Sequence, residues 1–367
     1  MRRADQRRRD ARGAVAVIVA IALVVLLGFL ALVLNIGHNR AVRAQLQNAA
    51  DSAAIAGAME LDGTLARIQA LAPHTWAADF SARHITDRDT PVQIEPSVDV
   101  VVGHWDPFTT DPDNAFTPMW PTTAEEARGV NAVLVRTGRE AERGNAVPVW
   151  LGAFLGGATA MNVRAEAVAV NGGPCIDCPD VPLAFFDCAF MDPATYELEC
   201  GAHPRMTMTA EFAPDPTDTV GFTSLGPDPA STTTYREILA CGEADCLAPG
   251  CDVYRAGAGD PINISNGNQL SALCADFDRY CTVDPLTALC TAPIPIRAPV
   301  VHGECPPKFN QAHPIVGYAT FNILKLECKG ASKYMEFEFL CNAPPSDADR
   351  IGCGFLGTGP KKPKLVR

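Results

Sequence analysis

Residues 14–34 read AVAVIVAIALVVLLGFLALVL, 21 consecutive positions without a charge, a polar amide or a proline. No other feature limits the fold so tightly. As a helix the run rises about 31 Å at ~1.5 Å per residue, the thickness of bilayer hydrocarbon. A soluble helix keeps one face for water, and this one has none to offer. Residues 14–34, from Ala14 to Leu34, are therefore read as a transmembrane helix. A cleaved signal peptide has a shorter apolar region, roughly 7–15 residues, and then a small-x-small cleavage site. Here Asn35-Ile36-Gly37-His38-Asn39-Arg40 follows instead. An uncleaved signal anchor is expected.

Charge sets the direction of crossing. Residues 1–13 carry six arginines against two acids, a net +4, which leaves −16 on the rest of a chain whose total is −12. The positive-inside rule keeps the basic tail in the cytoplasm and sends residues 35–367 across. An acidic body argues against nucleic acid as a partner, because phosphate needs a positive surface.

All 14 cysteines fall in the exported second half: Cys175, Cys178, Cys188, Cys200, Cys241, Cys246, Cys251, Cys274, Cys281, Cys290, Cys305, Cys328, Cys341 and Cys353. An even number there suits an oxidising compartment and a disulfide framework, whose pairing the spacing leaves open. Cys175-Ile176-Asp177-Cys178 has the spacing of half a zinc site, but no second C-x-x-C and no H-x(3–5)-H follows. Pro174 and Pro179 flank it, which places it in a loop, whereas a redox dithiol opens a helix. Structural disulfides are expected, with an anchored periplasmic thiol oxidoreductase using Cys175 and Cys178 as the rival.

Beyond the apolar run, residues 36–61 are rich in alanine and free of proline. One helix of roughly 70 Å is expected to run from the membrane to about Glu60. Val42, Leu46, Ala49, Ala53 and Ala56 recur at alternating helical steps, with Arg40, Arg43, Gln47 and Asp51 on polar faces. Such a small-residue stripe admits a second helix at close range, giving a helix-mediated oligomer, or it packs on the chain's own domain. Both occupants suit it.

These residues carry a resemblance. Arg12-Gly13-Ala14-Val15-Ala16-Val17, the apolar stretch and then Arg43-Ala44-Gln45-Leu46-Gln47-Asn48-Ala49-Ala50-Asp51-Ser52-Ala53-Ala54-Ile55-Ala56-Gly57-Ala58 closely resemble the start of TadE/TadG-like Flp (Tad) pilus-assembly proteins. Gly103-His104-Trp105-Asp106, Asn131-Ala132-Val133-Leu134-Val135, and the stretch from Val147-Pro148-Val149-Trp150 to Ala165-Glu166-Ala167-Val168-Ala169 are similar to the extended TadG-like members. The resemblance implies a single-pass inner-membrane protein with a periplasmic body, partnered by other Tad pilus or secretion components. It also assigns the anchor and helix-packing positions to Gly13, Ala14, Leu34, Gln45, Leu46, Asn48, Ala49, Asp51, Ala53, Ala56 and Gly57. TadE-like pseudopilins carry a glutamate five residues after the processed glycine, where this chain has Ile18, so prepilin-type processing is not implied. The D-x-S-x-S run of a von Willebrand type A metal site is also absent from the sequence.

After the helix, residues 63–90 suggest short helical pieces around Trp76 and Phe80, interrupted at Pro73. From Pro91 the chain turns to short β-rich runs between Pro, Gly, Asp and Asn. Met161–Val170 alternates as a half-buried strand should. Asn171-Gly172-Gly173-Pro174 is a breaker cluster and an expected boundary. Near the end, 314–327 and 333–340 read as paired strands, with Met335, Phe337 and Phe339 inward, and the basic tail 361–364 is expected to lack fixed structure.

Chemical motifs are weak. Gly221-Phe222-Thr223-Ser224-Leu225-Gly226 has one residue too many for a nucleophile elbow and reads as a turn. His302-Gly303-Glu304-Cys305 gathers titratable groups without an evident base-and-orienter pair. Asp106, Asp111, Asp113 and Asn114 offer hard oxygens for calcium, though not at EF-hand spacing, and Pro107 and Pro112 explain the cluster as turns. No cofactor or metal is expected. The chain is thus read as α+β, with a basic tail (1–13), a membrane helix (14–34), an extended pilin-like helix (35–62), an α+β domain (63–171) and a cysteine-rich β/loop domain (172–367). Its expected function is structural and non-enzymatic, with an adhesive ligand-binding module as a further alternative.

Overall fold

The computed structural model describes residues 2–367 except 88, 110, 112–113, 151, 153–156, 178, 193–197, 200–204, 211–216, 245–249, 330–332, 342, 344–350, 354–355, 357–362 and 367, with backbone alone at 2–14, 176–177, 243–244 and 252. The architecture is α+β. It begins with one continuous helix, α1, over Arg2–Met59. Its apolar part stands bare: Val15, Ile18, Leu26 and Phe29 are each about 60% exposed, as no water-facing helix would tolerate over five turns. From Val15 onward α1 is long and apolar enough to cross a membrane.

A second helix, α2, spans Ala72–Ala82. Pro73 stands in its first turn, just after the break at Ala70–Leu71 that separates it from a short helix over Leu65–Gln69, so the segment is interrupted beside this proline as expected. A first-turn proline has no intrahelical N–H bond to lose, and its fixed φ suits a helix start.

Two compact units are assembled from discontinuous segments, one from Met1–Ala53, Ala77–Val100 and Val135–Ala167, the other from Ala54–Trp76, Val101–Leu134 and Val168–Arg367. The strands that matter are β1 (Val100–Trp105), β2 (Phe116–Pro118), β3 (Ala132–Arg139), β4 (Val147–Pro148), β5 (Ala160–Met161) and β6 (Val163–Val170). Then come β7 (Leu183–Phe186), β8 (Arg205–Thr209), β9 (Val220–Thr223), β10 (Pro261–Ser265), β11 (Ile296–Val301), β12 (Gln311–Glu327), β13 (Tyr334–Phe339) and β14 (Lys364–Leu365).

In the first unit, α1 lays Val42, Leu46 and Ala49 against Val92, Val147, Val163 and Ala165, one buried cluster. The hydroxyl of buried Thr137 donates to the Leu46 carbonyl at 3.0 Å. Arg143 forms a bidentate pair with buried Asp99, both bonds 2.7 Å, which raises the guanidinium pKa chiefly through that hydrogen bond. The expected strand 161–170 breaks at Asn162, whose side chain accepts from the Ala141 N–H at 2.9 Å. Met161 is accordingly 40% exposed, outside the core face on which Val163, Ala165 and Ala167 lie.

In the second unit, β14 pairs antiparallel with the end of β6, Lys364 opposite Val170 and Leu365 opposite Ala169. Lys364, expected in a structureless tail, is therefore in a strand, because it completes the backbone bonding of a sheet edge; Lys361 and Lys362 lie outside the described residues. Asn131 spans Trp105, accepting from its N–H at 2.6 Å and donating to its carbonyl at 2.9 Å, and also donates to the Gly352 carbonyl.

The pairings of β12 close a ring. β12 pairs with β10, β10 with β9, β9 with β7, β7 with β11, and β11 returns to β12. β13 pairs with the far end of β12, and β8 with β13. Gly221, Phe222 and Thr223 lie in β9 inside this ring, not in a turn; the turn begins only at Ser224, and Leu225 takes the left-handed φ of 62°. A side chain at 221 would strike the Ser265 carbonyl, which is why glycine stands there. Both faces of β7 are buried: Leu183 and Phe185 on one side, Ala184 and Phe186 on the other. Phe185 stacks on Phe321 at 3.6 Å and meets Phe337 edge-on at 5.1 Å.

Candidate functional site

The groups with a specific arrangement lie in two places, one in each unit. The first is a collar where α1 leaves its apolar run. Asn35, the first polar residue after Leu34, exchanges two hydrogen bonds with the backbone of Trp150, donating to its carbonyl and accepting from its N–H, each 2.8 Å. One helical turn on, the His38 ring stacks on the Trp150 indole with centroids 5.0 Å apart. His38 Nε2 lies 3.6 Å from Asp87, whose other oxygen accepts from Arg139 at 3.2 Å. Gln45 accepts from the Asp87 N–H at 3.0 Å. Asp87 itself sits at φ 51°, a left-handed position that aspartate tolerates better than most residues.

The helix-packing positions now have addresses. Leu46, Ala49, Ala53, Ala56 and Gly57 are buried within the chain. Val42, Leu46 and Ala49 of the stripe pack on Val92, Val147, Val163 and Ala165 of the protein's own domain. Asn48 is exposed, and Asp51 is half-buried and accepts from Gln47, whose amide also reaches the Glu166 carbonyl at 2.9 Å. Leu34 is 43% exposed. Gly13 and Ala14 lie in α1 where only the backbone is described.

The second place is a cavity of about 440 Å³ lined by Asp187, Cys188, Met191, Asp192, His302, Gly303, Glu304 and Cys305. His302 does have an orienter: Asp187, buried and 115 positions earlier in the chain, takes its Nδ1 at 2.9 Å and the Gly303 N–H at 3.1 Å. Sequence reading missed this pair because nothing local connects the two residues. The thiol that a nucleophilic site would need is consumed, since Cys305 is bonded to Cys188. A hydrogen-bonded carboxylate and an exposed imidazole remain, an arrangement that holds a loop end as readily as it moves a proton.

Five disulfides are described: Cys175–Cys353, Cys188–Cys305, Cys241–Cys251, Cys274–Cys328 and Cys281–Cys290. Cys341 is disulfide-bonded as well, and none of the described cysteines is free. Cys178, Cys200 and Cys246 lie outside the described residues. The Cys175 sulfur bonds Cys353, so Cys175 and Cys178 do not form the dithiol couple that a thioredoxin-like reading requires.

At the acidic loop, Asp106 accepts from the Phe108 N–H at 2.9 Å and Asn114 donates to Asp111 at 2.7 Å, bonds that close turns. Asp113 lies outside the described residues. Among the described residues, no group of three or more His, Cys, Asp or Glu side chains is placed to hold a metal ion.

Residues 13–60 match the family model "Putative Flp pilus-assembly TadE/G-like", and residues 37–169 match "Putative Tad-like Flp pilus-assembly". No curated protein and no solved structure matches the chain.

Proposed function

We propose, from the premise that residues 13–169 belong to the Tad (Flp) pilus-assembly family, that this protein is a membrane-anchored structural component supporting assembly or anchoring of a Tad-type pilus. The observation that carries the reading is where the matches fall. They begin at the bare apolar part of α1 and run through its packed continuation to β6, leaving out the disulfide-bonded ring. The matched part is therefore an anchor fused to a small scaffold, and among its described residues no group of three or more His, Cys, Asp or Glu side chains is placed to hold a metal ion.

The arginine-rich start supports a cytoplasmic N-terminus and a periplasmic body in the inner membrane, and the oxidised cysteines suit that compartment. Other Tad components are the expected partners, and the role is non-enzymatic. Deleting the gene tests the reading: pilus counts by electron microscopy and adhesion to a surface should both fall, and normal values for both would sink it. A periplasm-active reporter fused after Arg367 should be active; an inactive reporter on a stable fusion would overturn the orientation.

A further inference from the structure

We infer that the β4–β5 hairpin is a second membrane contact, with Trp150 seated in the headgroup layer of the leaflet from which α1 emerges. The inference rests on α1 spanning the bilayer and adds a lipid-binding surface to it. Asn35 follows the last apolar residue of a run about as long as hydrocarbon is thick, so it lies at headgroup depth. Its side-chain amide holds both backbone polar groups of Trp150 at 2.8 Å, which fixes the indole at the same depth.

The hairpin is built to stay there. Val147 pairs with Met161 and Pro148 with Ala160, and the Val149 N–H continues the ladder to the Thr159 carbonyl at 2.9 Å. His38 backs one face of the indole, yet Trp150 remains 48% exposed, with Met161 on the same hairpin 40% exposed and Ile36 beside Asn35 in the helix 46% exposed. In water these would be costly surfaces; at a membrane interface an amphipathic ring and apolar neighbours are favoured. The sequence agrees, because the described residues between the two strands, Val149, Trp150, Gly152 and 157–159, include no charged side chain.

The test uses the full chain, purified and reconstituted at high lipid-to-protein ratio into phosphatidylcholine–phosphatidylglycerol vesicles with acyl chains brominated near the headgroup. The chain has four tryptophans. Trp150→Phe should lose the larger part of the fluorescence quenching seen in the unmodified protein, while Trp76→Phe should keep it. If Trp150→Phe perturbs folding by circular dichroism, the same readout comes from a chain with Trp76, Trp105 and Trp120 replaced by Phe, in which the remaining indole should be quenched more by shallow than by deep bromines. Equal quenching with and without Trp150 would overturn the inference. Alkaline washing separates the two readings: release of the chain from vesicles refutes the spanning helix, whereas a retained chain with an unquenched Trp150 refutes the hairpin contact alone.

Discussion

Replacing Leu46 by alanine tests whether the helical stripe is an internal core or a seam between chains. Leu46 is 0% exposed, and its neighbours Val42, Ala49, Val92, Val147, Val163 and Ala165 are small or β-branched. Such side chains have few alternative rotamers with which to fill a hole, so the cost belongs in the upper part of the leucine-to-alanine range, about 3–5 kcal/mol. The Thr137 bond to the Leu46 carbonyl survives, because it uses the backbone. Two units make a single unfolding midpoint a poor measure, so the readout should be local. Hydrogen exchange, followed by mass spectrometry in detergent, should accelerate roughly 100-fold or more over residues 135–139 and 163–167, if about 3 kcal/mol is lost at 1.4 kcal/mol per tenfold. Asn48→Ala, on the exposed side of the same turn, should change exchange little, within about 0.5 kcal/mol. Protection unaffected by Leu46→Ala would refute the packing argument, and acceleration that appears only on dilution would make the stripe an intermolecular seam.

Three further outcomes follow from the second unit. Removing Cys175–Cys353 by paired serine substitution should destabilise it by about twice as much as removing Cys281–Cys290, roughly 5 against 2.6 kcal/mol on chain entropy, because the separations are 178 and 9 residues; equal acceleration of hydrogen exchange across this unit in the two variants would contradict this. Gly221→Ala should cost about 1–3 kcal/mol from the collision with the Ser265 carbonyl, and unchanged hydrogen exchange over β9 and β10 would mean that the ring yields at β9. Burial pushes the Asp180 carboxyl above its ordinary range, outweighing the opposing pull of Arg297. The folded state then holds this proton more tightly than the unfolded one, so its contribution to stability is full below the unfolded carboxylate pKa and declines as pH rises through the folded pKa. Asp180→Asn should remove that decline, and identical pH profiles for the two proteins would rule it out.

The legible part of the fold is the part whose signals are local. An apolar run, a proline-free alanine-rich continuation and the alternation of 334–339 each announce an element within a few residues, and α1 and the β12–β13 pair stand as read. The stripe is legible as a packing surface, but the residues that meet it are not, because Val92, Val147 and Val163 are 43 to 114 positions from Ala49. Gly221 was misread as a turn because the close approach of Ser265, which demands glycine, comes from a strand 44 residues away. The Asp187–His302 pair and the Asn35–Trp150 clasp share that character: each joins residues 115 positions apart, beyond the reach of any spacing rule.

The bond between Cys175 and Cys353 gives the chain a problem of timing. Under the proposed orientation the body is exported N-terminus first, so Cys175 reaches the oxidising side well before the fourteenth cysteine that is its partner. Twelve other cysteines lie between these two in the sequence, and Cys188's own partner Cys305 also arrives late, so oxidation in order of emergence would join the wrong sulfurs. Reaching the native set then requires thiol–disulfide exchange, in which a thiolate attacks a premature bond and releases the sulfur it held. Maturation of this protein should accordingly depend on a disulfide isomerase, and not only on an oxidant, in the compartment where its body folds.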